Sequence, residues 1–202
     1  WVLSDDIYEH IIYDGRRFVT MAEAAPDLAD RVLTVNGVSK AYAMTGWRIG
    51  WGAGPAPLIQ AMAAVQSQST SGAATPSQAA ATAALDGPQT VLADHLAVFD
   101  RRRRLVTAGL DAIDGISCPA PDGAFYAFAD IHGLIGRRTR SGTRLDDDRA
   151  VARWLLDEAH VALVPGAAFG SPGHLRLSFA AADEVLHQAI QRIGAAVADL
   201  PG

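Results

Sequence analysis

Cysteine is nearly missing from this chain. Cys118 stands alone, which excludes an internal disulfide framework and any cysteine-based metal cluster. In Ile116-Ser117-Cys118-Pro119 it reads as a small buried hydrophobe on a short strand. No apolar run approaches the roughly 20 residues of a membrane helix, and no signal-peptide pattern is present, so the expected location is the cytoplasm. Positive charge is in deficit: the formal net charge is -5 and the pI about 5.6, which argues against nucleic acid as the main partner. The six histidines show no metal-ligand spacing. His10, His160 and His174 read as structural or exposed, and no metal site is expected. No internal repeat is evident.

What is present suits an ordinary globular protein. The chain has 202 residues, 50% of them hydrophobic and 19% charged, enough for one large domain or two small ones. The first half alternates short apolar runs with helical stretches, as expected of an α/β layer structure. Strands are expected at Trp1–Ser4, Val32–Val35 and Trp47–Gly52. Pro55 and Pro57 open a helix through about Gln68, and Pro76 opens an alanine-rich helix, suited to close packing, that ends near Leu85. Pro88 opens the longest helix, with Leu92, Leu96, Phe99, Val106, Leu110 and Ile113 on one stripe that Arg103 interrupts. A domain boundary is expected in this helix, with 1–87 as one domain and the helix assigned to the second, 88–202. Beyond it lies an α+β segment. Ala124–Ile131, Val161–Val164 and His174–Phe179 read as strands, and Gly136–Thr143 as an exposed loop. Asp146 or Asp147 caps a helix that turns Val151, Trp154 and Leu155 inward. A final helix carries Leu186, Ile190, Ile193, Val197 and Leu200 on one stripe.

The chemistry concentrates between Asp5 and Arg48. Lys40 lies in Val38-Ser39-Lys40-Ala41-Tyr42-Ala43-Met44-Thr45-Gly46-Trp47-Arg48, a stretch otherwise poor in charge. A lysine in such a setting beside another cation can have its amine pKa lowered and can form a Schiff base with an aldehyde. Arg48 is the candidate neighbouring cation, and its guanidinium fork matches a phosphate. Taken alone, Lys40 reads as a solvated loop lysine. Asp5 closes a buried-looking strand, where a carboxylate needs a partner, and Tyr8 follows three residues on. Singly, these two read as a helix cap and a core aromatic. Gly50-Trp51-Gly52-Ala53-Gly54 follows a strand but lacks a well-placed acid for a ribose. Arg101-Arg102-Arg103-Arg104 points all around a helix and reads as a solvated, salt-bridged run.

Ser4-Asp5-Asp6-Ile7-Tyr8-Glu9-His10 and Val35-Asn36-Gly37-Val38-Ser39-Lys40 through Ile49-Gly50 resemble the class I, fold type I, pyridoxal-phosphate-dependent aminotransferases. Among these the likeness is greatest to the bacterial aspartate aminotransferases that carry Met-Thr-Gly-Trp-Arg. It continues through Gln66-Ser67-Gln68-Ser69-Thr70-Ser71, Gly123-Ala124-Phe125-Tyr126, Val164-Pro165-Gly166 and Leu175-Arg176-Leu177-Ser178, and so covers nearly the whole chain. The resemblance implies the later part of a large α/β domain with a mainly parallel sheet, followed by a small α+β domain. It implies pyridoxal 5'-phosphate as cofactor, with Lys40 as the Schiff-base lysine and proton carrier. Asp5 would partner the pyridine nitrogen, Tyr8 the phenolic oxygen and Arg48 the phosphate. Arg176 would clamp the substrate α-carboxylate, which agrees with Leu175, Leu177 and Phe179 sharing the opposite strand face. Amino acids and 2-oxo acids are the implied partners, aspartate with 2-oxoglutarate first and aromatic amino acids or prephenate left open. A homodimer is implied for the full enzyme. A lyase on the same lysine, or a non-catalytic domain reusing the scaffold, are the alternatives. Intact Lys40, Asp5, Tyr8, Arg48 and Arg176 argue against the second.

Two departures stand out. Many relatives carry a phosphate-touching serine three residues before the lysine, where this chain has Gly37. The family's N-terminal half is also expected to be missing, because Trp1-Val2-Leu3-Ser4-Asp5 reads as a strand already under way. That half would supply a glycine-bearing phosphate loop, a ring stacked on the cofactor and an asparagine near its phenolic oxygen. Residues 1–202 alone, given cofactor, aspartate and 2-oxoglutarate, are therefore expected to form no oxaloacetate above background, because small misplacements of reacting groups are costly. Sustained turnover at an enzymatic rate, on the order of 1–1000 per second, would overturn this.

Overall fold

The computed structural model describes residues 1–201. The chain divides into two units, Trp1–Ala97 and Val98–Gly202. The division falls inside the long helix Thr90–Asp111.

The first unit is built on a sheet of β1 (Val2–Asp5), β2 (Val32–Gly37) and β3 (Gly50–Ala53), in that order. β1 and β2 are parallel, so the chain must cross over between them. It does so through a short helix α1 (Met21–Ala24), capped by the Thr20 hydroxyl, and a 3-10 turn at Pro26–Arg31. β3 returns antiparallel to β2. Helices α2 (Ala56–Ser67) and α3 (Thr75–Asp86) follow, each with a proline in its first turn, where the missing N–H costs nothing.

The sequence placed a strand at Trp47–Gly52, but its first residues behave otherwise. Thr45–Trp47 form a 3-10 turn that ends on Arg48 in a left-handed conformation (φ 55°), and pairing resumes only at Gly50. Burial also departs from expectation. Trp1 and Leu3 are 79% and 66% exposed, α2 buries no residue completely, and alanine-rich α3 buries only Ala81. The core of this unit lies instead around Ile11, Tyr13, Val32, Val38 and Ala41.

In the second unit a sheet of β4 (Tyr126–Asp130), β6 (His174–Ser178) and β5 (Val164–Pro165) is antiparallel throughout, with β6 central. Strand alternation divides its faces. Ala127, Ala129, Leu175 and Leu177 are buried, while Tyr126, Phe128, His174 and Arg176 are half-exposed on the other side. The buried set belongs to a core with residues of α4 (Thr90–Asp111), α5 (Asp148–Ala159) and α6 (Asp183–Ala198): Val106, Leu110, Val151, Leu155, Leu186 and Ile193.

Three expectations need correction here. The strand read at Val161–Val164 is reduced to Val164–Pro165, because Val161 is taken up by the end of α5, where its N–H bonds Leu155 O. Cys118 is buried, but its strand shrinks to one bridge between Ser117 and Asp130. Burial, and then the charge of Asp111, push the Cys118 thiol up to about 11. The 136–143 segment is only partly an exposed loop, since Thr139 is buried and its hydroxyl accepts the Thr143 N–H at 3.1 Å.

The arginine run is salt-bridged but not wholly solvated. Arg101 and Arg102 both reach Asp183, and Arg104 pairs with Asp100. Arg103 is 4% exposed. It donates to Pro121 O at 3.0 Å and lies 2.8 Å from the Asp100 carboxylate, the kind of pairing a buried charge requires.

The entry to α5 holds a feature the sequence did not reveal. Asp147 is the N-cap and accepts from Ala150 N. Its neighbour Asp148 is 1% exposed and accepts the Ala167 N–H at 2.7 Å, anchoring the 3-10 turn Gly166–Phe169. Asp147→Ala should cost about 1 kcal/mol, the usual worth of a cap. Asp148→Ala should cost more, roughly 1–3 kcal/mol, because it strands a part-buried N–H and leaves a gap where a 1% exposed side chain sat. Urea denaturation of the two variants checks the order, and equal losses would contradict it.

Candidate active site

Asp5 is the last residue of β1, and Asn36 and Gly37 close β2. In sheets with parallel strands, ligands sit beyond these carboxyl ends. The segment 38–49 then runs from β2 to β3 and carries both Lys40 and Arg48. Gly37 and Gly50 are register partners, so the two ends of this segment are held side by side.

Local packing fixes the segment. Val38 and Ala41 are buried at 0% and 3% exposure. The Ala41 carbonyl accepts from His95 Nδ1 at 2.9 Å, and Tyr42 donates its hydroxyl to Gln89 Oε1 at 2.8 Å. Burial, and then the Glu9 carboxylate, hold the Tyr42 phenol above its ordinary value. Ala43 (φ 53°) and Arg48 (φ 55°) both adopt left-handed backbone. Such residues cost on the order of 1–3 kcal/mol each and cluster at functional sites. Arg48 donates Nη1 to Thr45 O at 2.7 Å, which folds its side chain back over the turn.

The result is a pocket of about 300 Å³ lined by Asp5, Ile7, Val35, Asn36, Ser39, Lys40, Thr45 and Arg48. Three of the five residues singled out from sequence therefore meet in one concavity. Tyr8 is beside it, with its ring centroid 5.9 Å from Lys40 Nζ. A carboxylate, an amine, a guanidinium and a phenol thus converge, a donor set whose chemistry fits pyridoxal phosphate. A larger cavity of about 580 Å³ lies in the second unit near Trp154, Arg192 and Asp199. Its Arg140 is engaged by Asp199 at 2.8 Å, and it gathers no comparable set.

Arg176 lies in the other unit, on β6, paired with Phe128 of β4 and Val164 of β5. Its guanidinium carbon is 4.5 Å from the Tyr126 ring centroid and 4.3 Å from that of Phe169. Farther along this face Asp130 is held below the usual carboxylate range, first by the His132 backbone N–H and then by the His132 ring.

The burial argument for Asp5 does not hold. Asp5 is exposed and Asp6 is 4% exposed. Asp6 takes the Ser4 hydroxyl at 2.6 Å, whereas Asp5 Oδ1 accepts the Ile7 N–H at a longer 3.3 Å. Asp6, just past the end of β1 with its N–H on Val35 O, is turned inward, and Asp5 is left at the pocket. Sequence reasoning also missed Asn36, Ser39 and Thr45. Asn36 donates to Glu9 Oε1 at 2.7 Å and accepts from Gly37 N at 2.7 Å. Position next to Lys40 was the available signal for Ser39. A further signal went unused: Lys40 is the only lysine in the chain.

Gly37 has a steric reason. A Cβ there would meet Ile49 O at 2.7 Å and Gly50 Cα at 3.0 Å. Gly37→Ser, which installs the residue many relatives carry, is expected to force β3 outward and cost about 1–3 kcal/mol. Thermal unfolding reads this directly, and an unchanged midpoint would show that the strands yield freely.

The model of the aminotransferase class I and II family matches residues 1–193. The aspartate aminotransferase of Rhizobium meliloti (strain 1021) is 55% identical over 196 residues, covering 97% of this chain and 48% of that protein. The aspartate/prephenate aminotransferase of Cereibacter sphaeroides is 52% identical over 200 residues, covering 99% and 50%. The crystal structure of the Rhizobium meliloti aspartate aminotransferase superposes with a TM-score of 0.96 at 54% identity, covering all of this chain and 50% of that one. A Thermus thermophilus aspartate aminotransferase double mutant gives 0.82 at 38% identity, covering 96% and 47%. The chain spans about half the length of the curated relatives it matches. Its fold is that of the matching part of the aspartate aminotransferases, and the chain belongs to the class I and II aminotransferase family.

Proposed function

We propose that this chain carries the lysine-bearing part of a pyridoxal-phosphate-dependent aminotransferase that moves the amino group of aspartate to or from 2-oxoglutarate by a ping-pong mechanism. The observation that carries the reading is the convergence of Asp5, Lys40 and Arg48 on one pocket beyond the ends of β1 and β2. Prephenate or aromatic substrates are a second reading, favoured by the 52% identity to an aspartate/prephenate aminotransferase. On this proposal residues 1–87 are the later part of the large cofactor domain, and 88–202 are a bridging helix and the small domain. The working enzyme is a cytoplasmic homodimer.

When bound, pyridoxal phosphate supplies an aldehyde that links to an amine and a ring that withdraws electrons from the substrate's α-carbon. The chain's own residues do the rest. Lys40 Nζ provides the amine and then takes and returns the proton at the α-carbon. The Asp5 carboxylate, exposed at the pocket, holds a proton on the ring nitrogen. Tyr8 donates to the phenolic oxygen. Arg48 presents its fork to the phosphate, with the Ser39 and Thr45 hydroxyls lining the same pocket. Arg176 grips the α-carboxylate.

Because Lys40 is the only lysine, a chemical test within this chain is clean. Pyridoxal phosphate added to the complete protein and reduced with borohydride should label the Lys40 peptide, and Lys40→Arg should abolish that label. Labelling elsewhere with Lys40 left free would sink the assignment. Formation of oxaloacetate and glutamate, rather than ammonia, then separates transfer from elimination.

A further inference from the structure

We infer that Tyr126 and Phe169 are positioning residues: their rings clamp the two faces of the Arg176 guanidinium and aim its edge at the substrate carboxylate. The inference rests on the reading of Arg176 given above and adds how that arginine is held.

A guanidinium is a flat cation whose five N–H donors all lie in its plane, while its faces donate nothing. Aromatic faces attract it from above and below without competing for those donors. The guanidinium carbon of Arg176 lies over both rings, 4.5 Å from the Tyr126 centroid and 4.3 Å from that of Phe169, and on this reading one ring covers each of its faces. Among the described residues no carboxylate or carbonyl accepts a hydrogen bond from it, in contrast to Arg101, Arg102 and Arg104, which all pair with aspartates. An arginine held by its faces keeps its edge for a ligand. A bidentate grip needs such a fixed plane, because both N–H bonds to a carboxylate must be parallel.

Each ring is itself held. Tyr126 is on β4, two residues from Phe128, which is Arg176's register partner. Phe169 ends the 3-10 turn Gly166–Phe169, and its ring forms a T-shaped pair with that of Phe128, centroids 6.3 Å apart. Phe128 in turn stacks on His174 at 4.9 Å, with the planes 10° apart. That turn is pinned by the buried Asp148, which accepts from Ala167 N at 2.7 Å. Gly166 is also closed in, as a Cβ there would overlap Ser171 O. A buried carboxylate on α5 thereby sets a ring that sets the arginine.

Phe169 is the position to test, since at 47% exposure it can change without opening the core. In the complete, cofactor-loaded enzyme, Phe169→Leu keeps apolar bulk but removes the π face. It should raise KM for the amino acid about threefold to tenfold, the effect of a contact of this class, with kcat nearly unchanged. Phe169→Tyr should restore the wild-type value. A second readout does not depend on turnover. Progressively fluorinated phenylalanine at 169 drains the ring face without changing its shape, and should weaken binding of succinate, an unreactive dicarboxylate, in graded steps. Arg176→Ala is the control and should lower kcat/KM at least tenfold. If Arg176→Ala is severe while Phe169→Leu and the fluorinated series match wild type, the clamp is overturned and the arginine's role stands. A Phe169→Leu loss that Phe169→Tyr fails to restore overturns it as well, since packing would then be the cause. An ineffective Arg176→Ala removes the underlying reading and the clamp with it.

Discussion

Two strands approach so closely at Gly37 and Gly50 that the first has no room for a side chain and the second little: a Cβ on Gly37 would lie 2.7 Å from Ile49 O, and one on Gly50 3.0 Å from Asn36 O. This contact closes the base of the segment 38–49. Without it, Lys40 and Arg48 would be eight positions apart on a free loop, and nothing would require them to face the same space. With it, the amine and the guanidinium line one pocket with the carboxylate at the end of β1. The left-handed backbone at Ala43 and Arg48 belongs to the same constraint, because a short span between fixed ends must turn sharply. Val38 and Ala41 secure it from below by burial.

The second unit solves a different problem. On the proposed reading, Arg176 has to keep its donors available for a ligand while lying half-buried. A carboxylate partner would satisfy the charge and consume the donors. Aromatic faces hold it without taking its donors: the alternation of β4 and β6 puts Tyr126, Arg176 and His174 on the face away from the core, and the 3-10 turn Gly166–Phe169 brings the Phe169 ring to it. Arg103 shows the opposite solution, buried and engaged by Asp100 and a carbonyl. One cation is paired with a carboxylate and the other is stacked on rings.

Much of this organisation was legible in the residues. Periodicity located the helices to within a few positions, and the inward residues of α5 and the outward placement of Arg176 follow from spacing alone. Strand ends were less legible. The 3-10 turn before Arg48 and the loss of Val161 from β5 depend on backbone conformation and on hydrogen bonds to distant residues, which apolar pattern does not encode. Adjacent carboxylates were misjudged for a similar reason. Asp5 and Asp6 look alike in sequence, but β1 ends between them, and only the folded contacts tell the buried acid from the exposed one.

The sequence by itself determined the kinds of chemistry available: a single lysine in a charge-poor segment, an arginine eight residues on, an acid and a tyrosine upstream, and a family resemblance spread along nearly the whole chain. These are local properties of composition and order, and they survive without knowledge of contacts. Folding alone settled which groups share a space. Ser39, Thr45 and Asn36 joined the pocket, Asp6 was buried on the Ser4 hydroxyl, Asp148 became an anchor for a turn 19 residues away, and Tyr126 and Phe169 closed on Arg176. The reason is physical. Each of these relations joins residues on different elements, and their distances are set by strand register and burial of the whole unit rather than by spacing along the chain.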